Sequence, residues 1–177
     1  MNWYGRLLVA ESHSYSTVMF EIHGDLRDRI NSLIADIPEE DIAEEGREDN
    51  PHVTVLYGLH TGSAELIREH LSDDSGFEVK LGKISKFTTS DEHDVLKIEV
   101  ESNELKDMNK KLKELPHTST HPRYNAHLTL AYVKKGCCED MVGQEPFPER
   151  YTVEEVVFSS KTEKKTSITL GDSNEDD

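Results

Sequence analysis

Hydrophobic and polar positions alternate along the chain in short segments that predict strands and helices in turn. Residues 16–22 are short, β-branched and bounded by polar residues, which is typical of a strand. From Leu26 to Ile37 the apolar positions follow a 3.6-residue period, so a helix capped by Asp25 and ended by Pro38 is predicted. The first predicted unit is therefore a strand followed by an amphipathic helix.

The rest of the pattern predicts further strands and two more helices separated by polar turns. The predicted strands cover 52–59, 77–81, 95–100, 126–133, 152–159 and 166–170, and the predicted helices cover 63–71 and 103–115. Ser102 or Asn103 is the candidate cap of the second of these helices, and Pro116 ends it. Residues 39–49 contain seven acids and no apolar period, so they are predicted to form a solvated loop.

The two halves of the chain repeat the same order of elements. Each half runs from a strand through an amphipathic helix ended by proline, and then through a polar loop to a strand that begins His-apolar-Thr. The segment from Glu21 to His52 spans 31 positions, and the segment from Glu99 to His127 spans 28. This agreement in order and size indicates an internal duplication.

The closing strands of the two units share the template H-apolar-T-apolar-x-Y. HVTVLY begins at His52, and HLTLAY begins 75 positions later at His127. Because strand side chains at i and i+2 share a face, His52 is expected beside Thr54, and His127 beside Thr129. Each strand then has one apolar face for a helix layer and a second face that carries His and Thr.

Paired imidazoles suit the cleavage of a phosphodiester without a metal. One imidazole takes a proton from the nucleophile while the other donates a proton to the leaving oxygen, and histidine titrates close enough to neutrality for both roles. The hydroxyls of Thr54 and Thr129 would donate hydrogen bonds to the non-bridging phosphate oxygens. One such histidine alone is more simply an exposed residue on a half-solvated strand, but two matched copies favour a site. No H-E-x-x-H and no paired C-x-x-C lies beside either motif, so no metal or other cofactor is expected.

Arg123 and Tyr124 directly precede the second motif and are further candidates for substrate binding. A loop that enters this strand would lie near the site, where arginine pairs with phosphate and tyrosine stacks on a base. A surface arginine and a packed tyrosine are the alternative. Tyr57 and Tyr132 are predicted to point into the core, since an offset of five from His reverses the face of a regular strand.

Acidic residues dominate the composition, with 36 Asp and Glu against 20 Lys and Arg and a net charge of −16. This charge argues against a surface that wraps a long polyanion, so no long duplex nucleic acid is expected as a partner. Residues 39–49 and 171–177 carry −10 of it, so a neutral or basic cleft elsewhere is compatible with the composition. The adjacent Cys137 and Cys138 do not suit an ordinary disulfide and are expected to be reduced thiols.

The length of 177 residues is that of one ordinary domain. No run approaches the roughly 18 apolar residues of a membrane span, and the first residues lack the apolar core of a secretory signal. We expect a monomeric cytoplasmic protein that does not bind a membrane, in the host cytoplasm if the protein is viral.

The paired motifs resemble those of the 2H (two-histidine) phosphoesterases, the group that includes 2′-5′ RNA ligases and cyclic phosphodiesterases. PHVTVLYGL and AHLTLAYV both match the H-x-T-x pattern without departure, and the resemblance extends over about 16–170. It implies an α/β (α+β) bilobal fold in which two pseudo-symmetric strand-helix-strand units, with mainly antiparallel sheets, line a central groove. A single domain would cover 1–170, with lobes of roughly 16–90 and 95–170, and 171–177 would form an acidic disordered tail.

The same resemblance implies metal-independent chemistry, with His52 and His127 as catalytic residues and Thr54 and Thr129 as substrate-binding residues across the groove. Relatives act on RNA ends, on 2′,5′-linked oligonucleotides or on cyclic nucleotide immune signals. The acidic chain has no run rich in Lys and Arg, which favours a small nucleotide or short oligonucleotide as substrate. Its size is similar to that of the phage anti-CBASS phosphodiesterases. The alternatives are a 2′,3′-cyclic phosphodiesterase or RNA-end ligase and, in another class, a non-catalytic nucleotide-binding sponge.

Overall fold

Alternating strands and short helices account for most of the computed structural model, which describes residues 15–88, 92–119 and 123–171. The strands are β1 (Ser16–Glu21), β2 (Ile42–Arg47), β3 (His52–Leu59), β4 (Phe77–Thr88), β5 (His93–Glu101), β6 (His127–Lys134), β7 (Arg150–Val153), β8 (Glu155–Ser159) and β9 (Lys165–Thr169). The helices are α1 (Gly24–Ala35), α2 (Ala64–His70) and α3 (Asn103–Leu112), with a 3₁₀ turn at Glu39–Asp41. Every predicted strand and helix has a counterpart here.

The nine strands of the described residues join one antiparallel sheet. Their order is β7-β4-β5-β6-β3-β1-β8-β9, and β2 pairs with the second half of β6. The sheet curls into a half-barrel, and together with the three helices it makes an α+β fold. β3 and β6, which carry the two copies of the motif, are neighbours at the middle of the order. The repeated motifs therefore meet in one continuous sheet.

The two sides of this sheet do not follow the two halves of the chain. β4, within the expected lobe 16–90, pairs with β5 and β7 on the side of β6. β8 and β9, within the expected lobe 95–170, continue the sheet beside β1. The expected division between residues 90 and 95 thus falls in the hairpin of β4 and β5, and each side of the sheet contains strands from both ends of the chain.

The helices bury their apolar stripes in a single core. The buried helix residues are Leu26, Ile30 and Ile34 in α1, Ile67 in α2, and Leu105, Met108 and Leu112 in α3. Val53 of β3 and Leu128 of β6 belong to the same cluster and are fully buried. The helix layer therefore covers the apolar face of both motif strands, as the alternating pattern predicted, and the other face carries polar side chains.

The prediction of a solvated loop over 39–49 was wrong. These residues form the 3₁₀ turn and then β2, whose Ile42 pairs with Val133 of β6. The Arg47 guanidinium donates to the Ile34 carbonyl at 3.1 Å, which ties the end of β2 to the end of α1. The pairing partner lies far away in the sequence, so an acidic segment with no apolar period becomes a strand through tertiary hydrogen bonds.

Two smaller predictions also differ from the structure. Asp25 lies within the first turn of α1, where it forms an ion pair with Arg29 at 2.8 Å, and His23 occupies the N-cap position without a side-chain cap. The predicted strand 152–159 is interrupted at Glu154. The part before the interruption pairs with β4 and the part after it with β1, so the chain changes position in the sheet at this residue.

No helix in the described ranges is long and apolar enough to cross a membrane. The longest, α1, has 12 residues, whereas a helical span needs about 20. Apart from Gly171, the expected disordered tail lies outside the described residues.

Candidate active site

The repeated His and Thr side chains lie on one face of the paired strands β3 and β6. Val53 pairs directly with Leu128, and both side chains point into the helix-side core. Neighbouring strand residues point to opposite faces, so the four residues that flank this pair lie on the other face of the sheet, which we call the concave face. These residues are His52, Thr54, His127 and Thr129.

Antiparallel pairing crosses the two motifs. Because the strands are antiparallel and Val53 pairs with Leu128, His52 lies opposite Thr129 and Thr54 lies opposite His127. Side chains directly opposite across such a pair have Cβ atoms about 5 Å apart, and diagonal neighbours are about 7–8 Å apart. The two imidazoles therefore occupy one diagonal of a four-residue cluster and the two hydroxyls the other.

Both imidazoles are fixed by the same backbone contact. His52 Nδ1 lies 2.8 Å from the carbonyl oxygen of Asn50, and His127 Nδ1 lies 3.0 Å from the carbonyl oxygen of Asn125. A carbonyl oxygen only accepts, so Nδ1–H is the donor in each case and Nε2 is the basic nitrogen of the neutral ring. The two copies of the motif thus hold their imidazoles in the same tautomer by a carbonyl two residues earlier.

Both motif strands also carry a β-bulge at the same motif position. β1 pairs with the residues on either side of Val55 but not with Val55 itself, and β5 does the same at Leu130. Each is the fourth residue of its motif copy. In the first copy the side-chain amide of Asn109 in α3 donates to the Val55 carbonyl at 2.7 Å. The duplication therefore extends to an irregularity of the backbone.

The bulges reverse the faces of the strands beyond them. β1 pairs Met19 with Thr54 and Thr17 with Tyr57, and since Met19 and Thr17 share a face, Tyr57 lies on the face of Thr54. The matching bulge in β6 places Tyr132 on the concave side as well. The predicted face of both tyrosines was wrong, because a bulge inserts one residue into the alternation, although the predicted burial of Tyr132 is confirmed. Tyr132 is buried on that side, and Tyr57 is half-buried.

Lys97 of β5 brings a cation to the concave face. It pairs with Thr129 in the ladder of β5 and β6, so its side chain lies on the same face as that hydroxyl. Lys97 Nζ donates to Ser85 Oγ at 2.7 Å and lies 5.1 Å from the centre of the Phe87 ring. Burial lowers the pKa of the Lys97 ammonium. A desolvated cation beside the His–Thr cluster is well placed to attract a phosphate.

Sequence reasoning did not select Lys97 or Phe87 as functional residues. The Phe87 ring contacts the His127 ring edge-on, with centroids 5.4 Å apart and planes at 77°. The alternation of Leu96 and Ile98 did place Lys97 on the polar face of its strand. This alternation could not show that the polar face of β5 lies beside Thr129, because the alternation within one strand does not predict which strands are its neighbours in the sheet.

Carboxylates lie around the same cluster. The ladders pair Glu21 with His52 and Glu99 with His127, which again matches the two halves of the duplication. Burial raises the pKa of the Glu48 carboxyl, and the charge of neighbouring His52 opposes that rise. The concave face therefore carries a half-buried lysine together with several carboxylates, rather than the uniformly basic surface that a long polyanion requires.

The two further candidates for substrate binding, Arg123 and Tyr124, differ in their burial and contacts. The Tyr124 hydroxyl donates to the backbone carbonyl of Thr54 at 2.8 Å, its ring packs against the core, and burial raises its pKa. This contact ties the loop before β6 to β3, which agrees with the packed tyrosine that was the alternative for this position. Arg123 directly precedes Tyr124 and is exposed. The structure thus brings together four of the six predicted site residues on one face, with Tyr124 directly behind Thr54.

Three solved structures show the same fold. The chain is similar to Usb1 of Kluyveromyces marxianus with uridine monophosphate, at 12% identity and a TM-score of 0.56, over 89% of this chain and 98% of that one. It is similar to TT0787 of Thermus thermophilus, at 12% identity and a TM-score of 0.57, over 91% and 99%. It is also similar to LigT of E. coli complexed with phosphate, at 17% identity and a TM-score of 0.53, over 90% and 96%. The fold is that of the 2H phosphoesterases, as the paired motifs predicted.

A family model narrows this class further. The sequence matches the family described as anti-CBASS protein Acb1 over residues 27–171, a range that includes both copies of the motif. The chain belongs to this family. Among curated proteins, no sequence matches it.

Proposed function

We propose that the protein is a metal-independent phosphodiesterase that cleaves a phosphodiester in a cyclic or short oligonucleotide. The observation that carries the proposal is the crossed cluster of two imidazoles and two hydroxyls on one face of the central strands. Membership of an anti-CBASS family favours a cyclic nucleotide immune signal as the substrate. The mixed charge of the concave face suits a substrate with few phosphates.

Two imidazoles permit cleavage in which every proton has a donor and an acceptor. In the first step one imidazole accepts the proton of a ribose 2′-OH as its oxygen bonds to phosphorus, and the other donates a proton to the leaving oxygen as the P–O bond breaks. A 2′,3′-cyclic phosphate and a free hydroxyl result. Water then attacks the cyclic phosphate with the roles of the imidazoles reversed, which restores both to their starting states.

Three donors on the concave face would stabilise the charge that develops on the phosphate oxygens. Thr54 and Thr129 occupy the second diagonal of the cluster, and Lys97 is the ladder partner of Thr129. Hydrogen bonds and a desolvated cation aimed at a developing oxyanion supply a large share of many rate enhancements. Tyr124 is a positioning residue in this scheme, because its hydroxyl holds the backbone of Thr54.

Aromatic residues beyond the first bulge are the proposed contacts for a nucleobase. Tyr57 meets the ring of Tyr15 edge-on, with centroids 5.8 Å apart, and Tyr15 stacks on His60 at 5.6 Å. The half-buried Tyr57 lies on the same face as the phosphate-binding cluster, so one side of a nucleotide reaches the rings while its phosphate meets the histidines. Solved structures of LigT with 3′-AMP and with ATP support the binding of nucleotides by this fold.

Product analysis by mass tests the proposal. Wild-type protein and the His52→Ala and His127→Ala variants are incubated with cyclic dinucleotides, cyclic trinucleotides and 2′,3′-cyclic nucleotides in EDTA. Loss of either imidazole is expected to lower the rate by about 10²–10⁴-fold, because each supplies general acid or base catalysis. His70→Ala is the matched control, since His70 lies on α2 and contacts the Lys111 carbonyl in the helix layer. Its rate is expected to equal that of the wild type.

The products formed from this panel of cyclic nucleotides distinguish the proposed phosphodiesterase from the alternative functions. Linear products from wild-type protein in EDTA support a metal-free phosphodiesterase and name its substrate. Turnover of 2′,3′-cyclic nucleotides alone points to the RNA-end chemistry of the alternative. Recovery of unmodified cyclic nucleotide from the heated protein points to a sponge. A requirement for added metal contradicts the two-imidazole mechanism.

A further inference from the structure

Cys137, Cys138 and Asp41 converge at the end of β6 that is remote from the His–Thr cluster. The two cysteines lie in the turn after β6, and Asp41 ends the 3₁₀ turn before β2. One donor atom from each side chain lies within 4.8 Å of the other two. The Sγ atoms are 2.8 Å apart, and Cys137 Sγ lies 3.8 Å from the backbone carbonyl of Asp41, a residue 96 positions away. Tertiary folding thus brings two sulfur donors to a carboxylate.

The backbone at Cys138, one of the three donor residues, has an unfavourable conformation. Cys138 has a φ of +64°, in the left-handed region that residues with a Cβ rarely adopt. The Cys137 carbonyl accepts from Lys86 Nζ at 2.7 Å, and the Cys138 carbonyl accepts from the Met141 N–H at 3.1 Å. Strain that is kept in place by such contacts is concentrated at functional positions in proteins. Here it sits at one of the three donors.

A metal explains the pair of thiols better than a disulfide does. Both cysteines are free, and adjacent Cα atoms are about 3.8 Å apart, below the usual 4.4–6.8 Å of a disulfide. Thiolates are soft ligands that prefer Zn²⁺ and Cu⁺. With Zn–S bonds of about 2.3 Å and tetrahedral geometry, two sulfurs on one ion lie roughly 3.8 Å apart. A modest side-chain rotation brings the pair from its present separation to that distance.

The surroundings supply further oxygen donors. A cleft of about 440 Å³ opens beside Cys138 and Asp41, and Asp36 and Asp140 are in its lining. Cys138 itself is 9% exposed, so a bound ion would be partly shielded from solvent. The three acids make the electrostatic potential of this cleft favourable for a cation.

We propose that Cys137, Cys138 and Asp41 bind one thiophilic divalent cation of the Zn²⁺ type, with a carboxylate of the cleft or a water as the fourth ligand. Each thiol gives up its proton to the solvent as its sulfur bonds to the ion. The ion links the start of β2 to the end of β6, so its role is structural. β6 separates His127 from Lys134 by about 23 Å at the rise of a strand, and the ion therefore takes no part in phosphodiester cleavage.

Titration with Cd²⁺ tests this site, because cadmium thiolates absorb in the ultraviolet through charge transfer. The full chain, reduced and freed of metal, is expected to bind one Cd²⁺ with an absorbance that saturates at one equivalent, and Zn²⁺ is expected to displace it. Cys137→Ser and Cys138→Ser should each remove most of the charge-transfer signal. Asp41→Asn should weaken binding at least about tenfold while it keeps that signal.

Matched variants keep the test independent of folding and of catalysis. Glu40→Gln alters the exposed acid next to Asp41 and should bind Cd²⁺ as the wild type does. Thermal unfolding should shift upward with Zn²⁺ in the wild type, and by less in the folded Asp41→Asn variant at the same concentration. The proposal is overturned if the reduced wild type binds no Cd²⁺, if the signal survives in the doubly substituted Cys137→Ser/Cys138→Ser chain, or if Asp41→Asn and Glu40→Gln behave alike. Phosphodiester cleavage is measured separately in EDTA, at a temperature at which the metal-free wild type and the Asp41→Asn variant are both folded, so that loss of the ion and loss of catalysis are distinguishable.

Discussion

Replacing Lys97 with methionine separates a functional lysine from a structural one. Methionine keeps most of the length and the apolar stem of the side chain but removes the charge. Lys97 Nζ has Ser85 Oγ as a hydrogen-bond partner and the Phe87 ring as a cation–π partner. Burial lowers the pKa of this ammonium, which means that folding disfavours its charged form.

The Lys97→Met variant is expected to change the stability of the fold only slightly and to lower the activity strongly. Loss of one hydrogen bond costs about 1 kcal/mol and loss of the cation–π contact about 0.5–1 kcal/mol. Relief of the desolvated charge offsets this loss, so the free energy of unfolding should stay within about 1 kcal/mol of the wild type. Removal of one donor to a developing oxyanion lowers rates by about 10²–10³-fold, equal to about 2.7–4 kcal/mol of transition-state stabilisation.

Single-turnover cleavage of the best substrate from the panel, in EDTA, is the assay for activity, and urea unfolding is the assay for stability. Lys106→Met is the control, because Lys106 is an exposed residue of α3 in the helix layer, and both of its readings should match the wild type. A Lys97→Met variant with the wild-type rate would refute the proposed role of this cation. A variant that loses rate only in proportion to its loss of folded protein would show that the lysine is structural.

The fold and the site support three other predictions. Gly58→Ala should destabilise the protein by about 3 kcal/mol in urea unfolding, because Gly58 has a φ of +123° and an added Cβ would meet the carbonyl oxygen of Thr118, whereas Gly62→Ala should have little effect. Burial raises the pKa of the Asp94 carboxyl, but hydrogen bonds and a lysine ammonium outweigh burial and lower this pKa overall. The ionised carboxylate therefore stabilises the fold at a pH above the ordinary pKa of Asp, and this stabilisation is lost as the pH falls below about 4. Asp94→Asn should therefore cost about 2–3 kcal/mol at pH 7 and should flatten the acid limb of an unfolding curve, and an unchanged acid limb would contradict the assignment. Tyr57→Ala should raise the KM for a nucleotide by about tenfold while Tyr57→Phe leaves it unchanged, and equal effects of the two would exclude stacking as the role of the ring.

The sequence by itself determined that the His and Thr of each motif lie together on one strand face. A period of two puts His and Thr of each motif on one face, and the repetition of the template indicated that two such faces belong together. The buried faces of the helices were also predicted from the sequence, since the apolar positions of α1 and α3 recur at the spacing of one helix face. These features are local, and local geometry follows from the order of residues along one element.

Tertiary structure alone decided how those residues meet and what surrounds them. The pairing of Val53 with Leu128 crosses the motifs, and the bulges at Val55 and Leu130 turn the tyrosines to the concave face. Lys97 reaches the site because β5 lies beside β6, and the acidic segment before β3 becomes β2 because β6 offers it an edge. Such features depend on hydrogen bonds between residues far apart in the chain, and no periodicity within one segment records the partner that a strand will have.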